Sequence, residues 1–176
     1  VNFGSIEQNY DSLEKEMLDE FYGHLGKTKH CTWIHWNMRD INYGFPAIEH
    51  RYKVLGGTPI ELPEERKFDL ARALIDVFGV KYISHPRLEN LVSLNKMTAR
   101  DFLVGKAEAD AFTNKEFVKL HQSTLRKADI MSNIFERLSD GSLKTNAKWK
   151  DIYGLSMESV VGYIKQHWII SALSIV

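Results

Sequence analysis

The helical pattern is strongest in residues 32–55, TWIHWNMRDINYGFPAIEHRYKVL. Apolar side chains recur there at alternating steps of four and three, the spacing that keeps them on one face of an α-helix. They are Ile34, Met38, Ile41, Phe45, Ile48, Tyr52 and Leu55. We therefore expect a central amphipathic helix that ends at Gly56 and Gly57. Because proline removes a backbone hydrogen bond and clashes with the preceding turn, Gly44 and Pro46 predict a kink or a break inside it.

Similar patterns predict further helices on both sides of this stretch. The first begins at Ser5 with an apolar face of Ile6, Tyr10, Leu13, Met17 and Phe21, and its outer face is acidic. Others are bounded by capping residues, prolines or glycines and cover residues 63–79, 84–95, 98–105, 115–139 and 156 onward. Strand evidence is limited to residues 32–36 and 80–83. The sequence thus predicts an all-α fold, a compact bundle of about six to seven helices with one or two very short strands, in a single domain over residues 1–176.

Seven apolar residues of the predicted helices are expected to be nearly fully buried, because each lies on the apolar face of its helix. They are Met38, Ile41, Ile48, Phe68, Ile75, Met131 and Phe135.

Composition limits the kinds of protein that this chain can be. It has 176 residues with 23 basic and 23 acidic side chains, so a uniformly basic surface for nucleic acid is excluded.

The single cysteine, Cys31, cannot form an intrachain disulfide and no signal peptide opens the chain, so we expect a cytoplasmic protein. The longest apolar run, residues 168–176, falls short of the roughly 20 residues of a membrane span, so we expect no membrane partner. A start at Val1 is compatible with a piece of a longer protein.

The face opposite the apolar seam of residues 32–55 carries the residues best suited to chemistry. His35, Arg39 and Tyr43 follow one another at steps of four, and His50 lies seven residues beyond Tyr43. A titratable imidazole, a planar guanidinium and a phenol together suit a pocket for a phosphate-containing ligand. In a catalytic interpretation His35 is the general base, Arg39 holds an anion and Tyr43 is a second proton donor.

The same face also has a purely structural interpretation. A helix buried on both sides would use its aromatic residues as core, and Arg39 would then pair with a carboxylate such as Glu49 or Asp69.

Metal and cofactor binding have weaker support. Cys31 and His35 are four residues apart, but a third ligand on the same unit and the HExxH and CxxC motifs are missing. The pair Gly56-Gly57 lacks the spacing of a phosphate-binding loop. We therefore expect no metal and no cofactor.

Residues 168–176, WIISALSIV, are apolar on every side. A helix formed by them needs cover from a second copy or a further domain, so we expect self-association or docking through Trp168, Ile169 and Leu173.

A short basic stretch precedes that segment. It contains Lys144, Lys148, Trp149 and Lys150 and no carboxylate, so it is suited to contact with nucleic-acid phosphates and to stacking of one ring, although a solvated loop has the same composition.

Two functions follow from these patterns. The first is a helical binding or assembly module of a larger protein or complex. The alternative is a metal-independent hydrolase or nucleotide-processing effector that uses His35, Arg39, Tyr43 and His50.

Overall fold

The computed structural model describes residues 9–148, which are mostly helical. They form six α-helices and one pair of short strands, in the order α1 (Tyr10–Lys27), β1 (Trp33–His35), α2 (Phe45–Val54), β2 (Lys67–Asp69), α3 (Leu70–Phe78), α4 (Arg87–Leu94), α5 (Gly105–Thr113) and α6 (Phe117–Asp140). This confirms the predicted helical fold with very short strands. The chain divides into two compact units between Asp69 and Leu70. The single domain over residues 1–176 stays a prediction.

The first unit, described over residues 9–69, packs α1 against α2. Its core joins Leu18 and Tyr22 of α1 to Tyr52 of α2, and the two tyrosine rings are stacked with centroids 4.5 Å apart. Outside the core, Nε of Arg51 donates to both carboxylate oxygens of Glu14 at 3.0 Å. Packing and a forked ion pair therefore join the same two helices.

Strands β1 and β2 pair in parallel in this unit. His35 lies opposite Asp69, and Trp33 lies opposite Lys67. Parallel strands need a crossover connection, and α2 lies within that connection. The pairing places the last residue of β1, the predicted site residue His35, beside the last residue of β2, Asp69.

The central helix predicted over residues 32–55 is wrong in its first half. The chain leaves β1 at Asn37, whose φ of 55° lies in the left-handed region, and residues 36–44 form a loop, here called the 36–44 loop. Only α2 is helical, and Pro46 lies in its first turn, where the N–H that proline lacks would have no intrahelical partner. The apolar period of residues 34–41 therefore does not mark a helical face, and Ile41 is 76% exposed.

The helix predicted over residues 63–79 is also shorter than expected. Pro63 is followed by a 3-10 turn, Glu64–Arg66, and then by β2, so the α-helix begins only at Leu70. A strand of this length is too short to show an alternating pattern in the sequence. The predicted end is confirmed, because α3 stops before Gly79, whose φ is 78°.

The second unit, described over residues 70–148, contains α3 to α6. The predicted helices over residues 84–95 and 115–139 match α4 and α6 to within a few residues, and the left-handed Gly141 ends α6. The helix predicted over residues 98–105 is wrong, because α5 begins only at Gly105. The strand predicted over residues 80–83 is wrong as well, because these residues form a turn and a bend.

The seven residues predicted to be nearly fully buried are all more exposed than expected. Ile41 is exposed, and the other six are half-buried: Met38, Ile48, Phe68, Ile75, Met131 and Phe135. The covered residues of α6 are Ser123, Ile130, Ile134 and Leu138. The buried residues Ile130 and Ile134 each precede by one position the residues predicted to be buried, Met131 and Phe135. The neighbouring helices decide which side chains of α6 point into the core.

None of the helices within residues 9–148 is long and apolar enough to span a membrane. The helix predicted from residue 156 onward lies outside the described residues.

Candidate functional site

His35, the first predicted site residue, lies at the end of β1 and is 6% exposed. Its Nδ1 accepts a hydrogen bond from the backbone N–H of Met38 at 3.2 Å. The ring of Phe45 packs edge-on against the imidazole, with centroids 5.3 Å apart. His35 therefore contacts Met38 in the 36–44 loop and Phe45 at the start of α2.

Asp69, across the sheet from His35, binds two groups of the 36–44 loop. Nε of Arg39 lies 2.7 Å from its Oδ2, and the backbone N–H of Asn37 donates to its Oδ1 at 3.2 Å. The Asp69 side chain is 9% exposed and that of Arg39 is 54% exposed. The ion pair is thus covered on its carboxylate side and open to solvent on its guanidinium side. Of the two carboxylates expected as structural partners of Arg39, Asp69 is the one that it contacts.

Tyr43 and His50 differ in their surroundings. Tyr43 is 56% exposed near the end of the 36–44 loop, and its hydroxyl accepts a hydrogen bond from Nδ2 of Asn37 at 3.0 Å. His50 is exposed on α2, and no hydrogen bond or ion pair within residues 9–148 connects it to the other predicted site residues. The helical face that was predicted to align all four does not exist. Arg39 and Tyr43 lie in the 36–44 loop, His35 precedes this loop at the end of β1, and His50 lies apart on α2.

The pKa of His35 lies below its ordinary value, chiefly because burial disfavours the charged imidazolium. The cations Arg39 and Lys67 lower this pKa further, and the Asp69 carboxylate opposes them. The neutral form of the ring therefore predominates at pH 7. Because Nδ1 accepts the N–H of Met38, the proton of the neutral ring lies on Nε2. This imidazole can donate a hydrogen bond but has no free acceptor nitrogen for the role of general base.

A groove of about 360 Å³ lies between α1 and α2, a place where the sequence had predicted no site. Glu14 and Arg51 lie at one edge, joined by a contact of 2.6 Å. The apolar lining comes from both helices and from the 36–44 loop: Met17, Leu18, Phe21, Tyr43, Ala47 and Ile48. Because Met17 is 60% exposed, this lining is open to solvent.

The exposed apolar surface continues along α1 beyond the groove. Tyr10 and Leu13 are exposed and precede Met17 at steps of three and four, so the three share one helical face. We call the groove and these residues the α1 apolar surface. These residues belong to the apolar face that the sequence predicts for the first helix. The structure buries Leu18, Tyr22 and Leu25 of α1 instead and leaves this stripe exposed.

The basic stretch near the end of the described residues is anchored by its backbone. Nδ2 of Asn95 donates to the carbonyl of Lys144 at 2.9 Å, and Oδ1 of Asn95 accepts the N–H of Lys144 at 2.8 Å. The side chains of Lys144 and Lys148 are exposed. The remaining predicted partner residues lie outside the described residues: Trp149, Lys150, Trp168, Ile169 and Leu173.

Within residues 9–148, no three side chains of His, Cys, Asp or Glu lie together in a way that could hold a metal ion. Cys31 is half-buried ahead of β1, and it shares no helical turn with His35 because that segment is a strand.

Comparisons with protein-family models, with curated proteins and with solved structures find no match to this chain. A proposal for its function therefore rests on the geometry of its own side chains. Two arrangements in the first unit could contact another molecule: the solvent-open guanidinium of Arg39 and the α1 apolar surface.

Proposed function

We propose that this protein is a helical assembly module in which the α1 apolar surface of one copy binds the C-terminal segment, residues 165–176, of a second copy. The observation that carries the proposal is the exposure of large apolar side chains on α1 beside an open groove. Met17 is at the centre of this surface, and Tyr10 and Leu13 extend it. Contiguous exposed apolar surface is characteristic of protein–protein interfaces.

The proposed occupant has the matching chemistry. Its sequence, KQHWIISALSIV, contains Trp168, Ile169 and Leu173, which need apolar cover. The groove volume of about 360 Å³ falls within the range of concave binding sites, roughly 300 to 1,000 Å³. It offers room for a large side chain such as that of Trp168, and buried aromatic side chains commonly dominate interface energies.

Charge supports the same pairing. Glu16 and Glu20 are exposed beside the Leu13–Met17 stripe, and neither forms an ion pair within residues 9–148. The proposed segment begins with Lys165 and His167 and contains no acidic residue. Opposite charges at the edge of an apolar contact favour one partner and one orientation.

Light scattering of the full chain over a range of concentrations tests the proposal. We expect the wild-type chain to dimerise or form larger assemblies, and Met17→Glu and Leu173→Glu each to remain monomeric because a carboxylate would have to be buried in an apolar contact. Leu125→Glu is the matched control, because Leu125 is 54% exposed on α6 in the second unit.

An equimolar mixture of the two variants tests whether the α1 apolar surface of one copy binds residues 165–176 of a second copy. Met17→Glu keeps an intact C-terminal segment, and Leu173→Glu keeps an intact α1 apolar surface, so an equimolar mixture should associate through one intact contact. A wild-type chain that is monomeric at every concentration contradicts the proposal, as does a mixture of the two variants that remains monomeric.

The alternative function, a metal-independent hydrolase or nucleotide-processing effector, stays a prediction. The described geometry favours the binding role, because the acceptor nitrogen of His35 is already occupied and His50 lies apart from the other three residues.

A further inference from the structure

We infer that the second unit contains a binding site for a phosphomonoester, in a cleft between residues 96–98 and one face of α6. The cleft has a volume of about 190 Å³ and is lined by three cationic side chains, Lys96, Arg126 and Arg137. This site is separate from the α1 apolar surface, and its test is independent of the proposed function.

The sequence of α6 places its polar lining residues on one face. Arg126, Asn133 and Arg137 are separated by seven and four residues, which are near-integral numbers of helical turns. Asp129 lies on the same face and is the only carboxylate among the residues that line the described cleft. The lining therefore has a net formal charge of two positive units, which matches a phosphate dianion.

Much of the hydrogen-bonding capacity of these cations is available. Nε of Arg126 donates to the carbonyl of Arg100 at 3.0 Å and Nη1 lies 3.3 Å from Asp129, so the guanidinium is oriented while Nη2 is left for a ligand. Lys96 and Arg137 have no ion pair of 4.0 Å or less within residues 9–148, although Arg137 also interacts electrostatically with Asp140. A preoriented guanidinium beside two further cations is a donor set that binds phosphate oxygens.

The backbone at Lys96 supports a role for its side chain. Lys96 follows α4 with a φ of 52°, in the left-handed region where glycine or asparagine is preferred. A lysine at this position is conformationally costly and contributes a cation to the cleft.

Size and neutral donors define the ligand class. The volume of about 190 Å³ is below the roughly 300 Å³ at which sites for drug-sized ligands begin, so the cleft can take a phosphate group and a small part of its substituent. The Thr98 hydroxyl and the Asn133 amide add uncharged hydrogen-bonding groups to the lining.

Calorimetric titration of the full chain with inorganic phosphate and with glycerol phosphate tests the inference, with chloride at matched ionic strength as the reference. We expect saturable binding of both phosphates and none of chloride. Arg137→Gln should weaken binding by about tenfold or more, because a charge-assisted contact is lost. Lys106→Gln removes an exposed cation of α5 outside the cleft and should leave binding unchanged.

Lys96→Gly separates a binding role from a structural one. It should raise the melting temperature without phosphate, because glycine suits the left-handed backbone, and should weaken phosphate binding at the same time. Vesicles with and without phosphatidic acid show whether a lipid headgroup can supply the same phosphomonoester. The inference is overturned if phosphate binds no better than chloride, or if Arg137→Gln and Lys96→Gly both bind like the wild type.

Discussion

Nε of Arg39 lies 2.7 Å from Oδ2 of Asp69, and this ion pair ties the 36–44 loop to β2. The same loop contains Tyr43, which lines the groove between α1 and α2. Two residues that the sequence identified as a candidate catalytic site, Arg39 and Tyr43, therefore belong to the loop that forms part of the wall of this groove.

Asp69→Ala is expected to lower the free energy of unfolding by about 1–3 kcal/mol, because the N–H of Asn37 loses its acceptor and the guanidinium of Arg39 loses its ion-pair partner. Arg39→Lys should cost less than about 1 kcal/mol, because Arg39 is more than half exposed and lysine keeps the charge. Urea denaturation measures both values. A larger loss for Arg39→Lys than for Asp69→Ala would contradict this assignment.

His35 should make stability depend on pH below neutrality. Its folded pKa lies below its unfolded value of about 6.5, so the unfolded chain binds more protons in that interval. The stabilisation is complete above the unfolded pKa and is lost as the pH falls toward the folded pKa. Its slope is at most about 1.4 kcal/mol per pH unit.

Thermal melts between about pH 7.5 and pH 5.5 check this dependence. His35→Asn is the control, because the asparagine oxygen can still accept the N–H of Met38 but does not titrate. The melting temperature should fall more in the wild type than in the variant. The charged groups around the ring are Asp69, Arg39, Lys67 and Glu64, and equal slopes would show that the imidazole itself is not responsible.

Gly44→Ala should destabilise the first unit. A Cβ at this position would lie 2.6 Å from the backbone carbonyl oxygen of Asp40 and would also collide with that of Met38. Relief requires movement of a loop that is closed by the 2.7 Å hydrogen bond from the N–H of Gly44 to Asp40. We expect a loss of about 1–3 kcal/mol in the free energy of unfolding.

Gly23→Ala provides the matched comparison for Gly44→Ala. Gly23 lies within α1, and an added Cβ would meet nothing within 4 Å. This variant should gain about 0.5–1 kcal/mol from the higher helix propensity of alanine. Chemical denaturation of the two variants should therefore give changes of opposite sign, and a neutral Gly44→Ala would show that the loop tolerates a side chain.

Asn95→Ala should weaken the second unit, because the partly buried N–H and carbonyl of Lys144 both lose their partner. The expected loss is about 1–3 kcal/mol. Asn114→Ala, at an exposed residue after α5, should change stability by less than about 0.5 kcal/mol. Hydrogen exchange at the Lys144 amide gives a local measurement, and unchanged exchange in Asn95→Ala would contradict the assigned contact.

Part of the candidate phosphate site could have been predicted from the sequence. Arg126 and Arg137 share a helical face by their spacing alone. Lys96 could not have been added from the sequence, because it lines the same cleft only when the segment after α4 packs beside α6.

The sequence by itself determined the helical class of this protein, the positions of α4 and α6, and the ends of α3 and α6 at Gly79 and Gly141. These features depend on local rules: apolar spacing, capping and the freedom of glycine to adopt a positive φ. Only the tertiary structure decided that residues 33–35 pair with β2 and that the stripe of Tyr10, Leu13 and Met17 lies exposed. The reason is that a short strand is stabilised by a partner distant in the chain, and that the buried side of a helix is chosen by its neighbours, neither of which local spacing records.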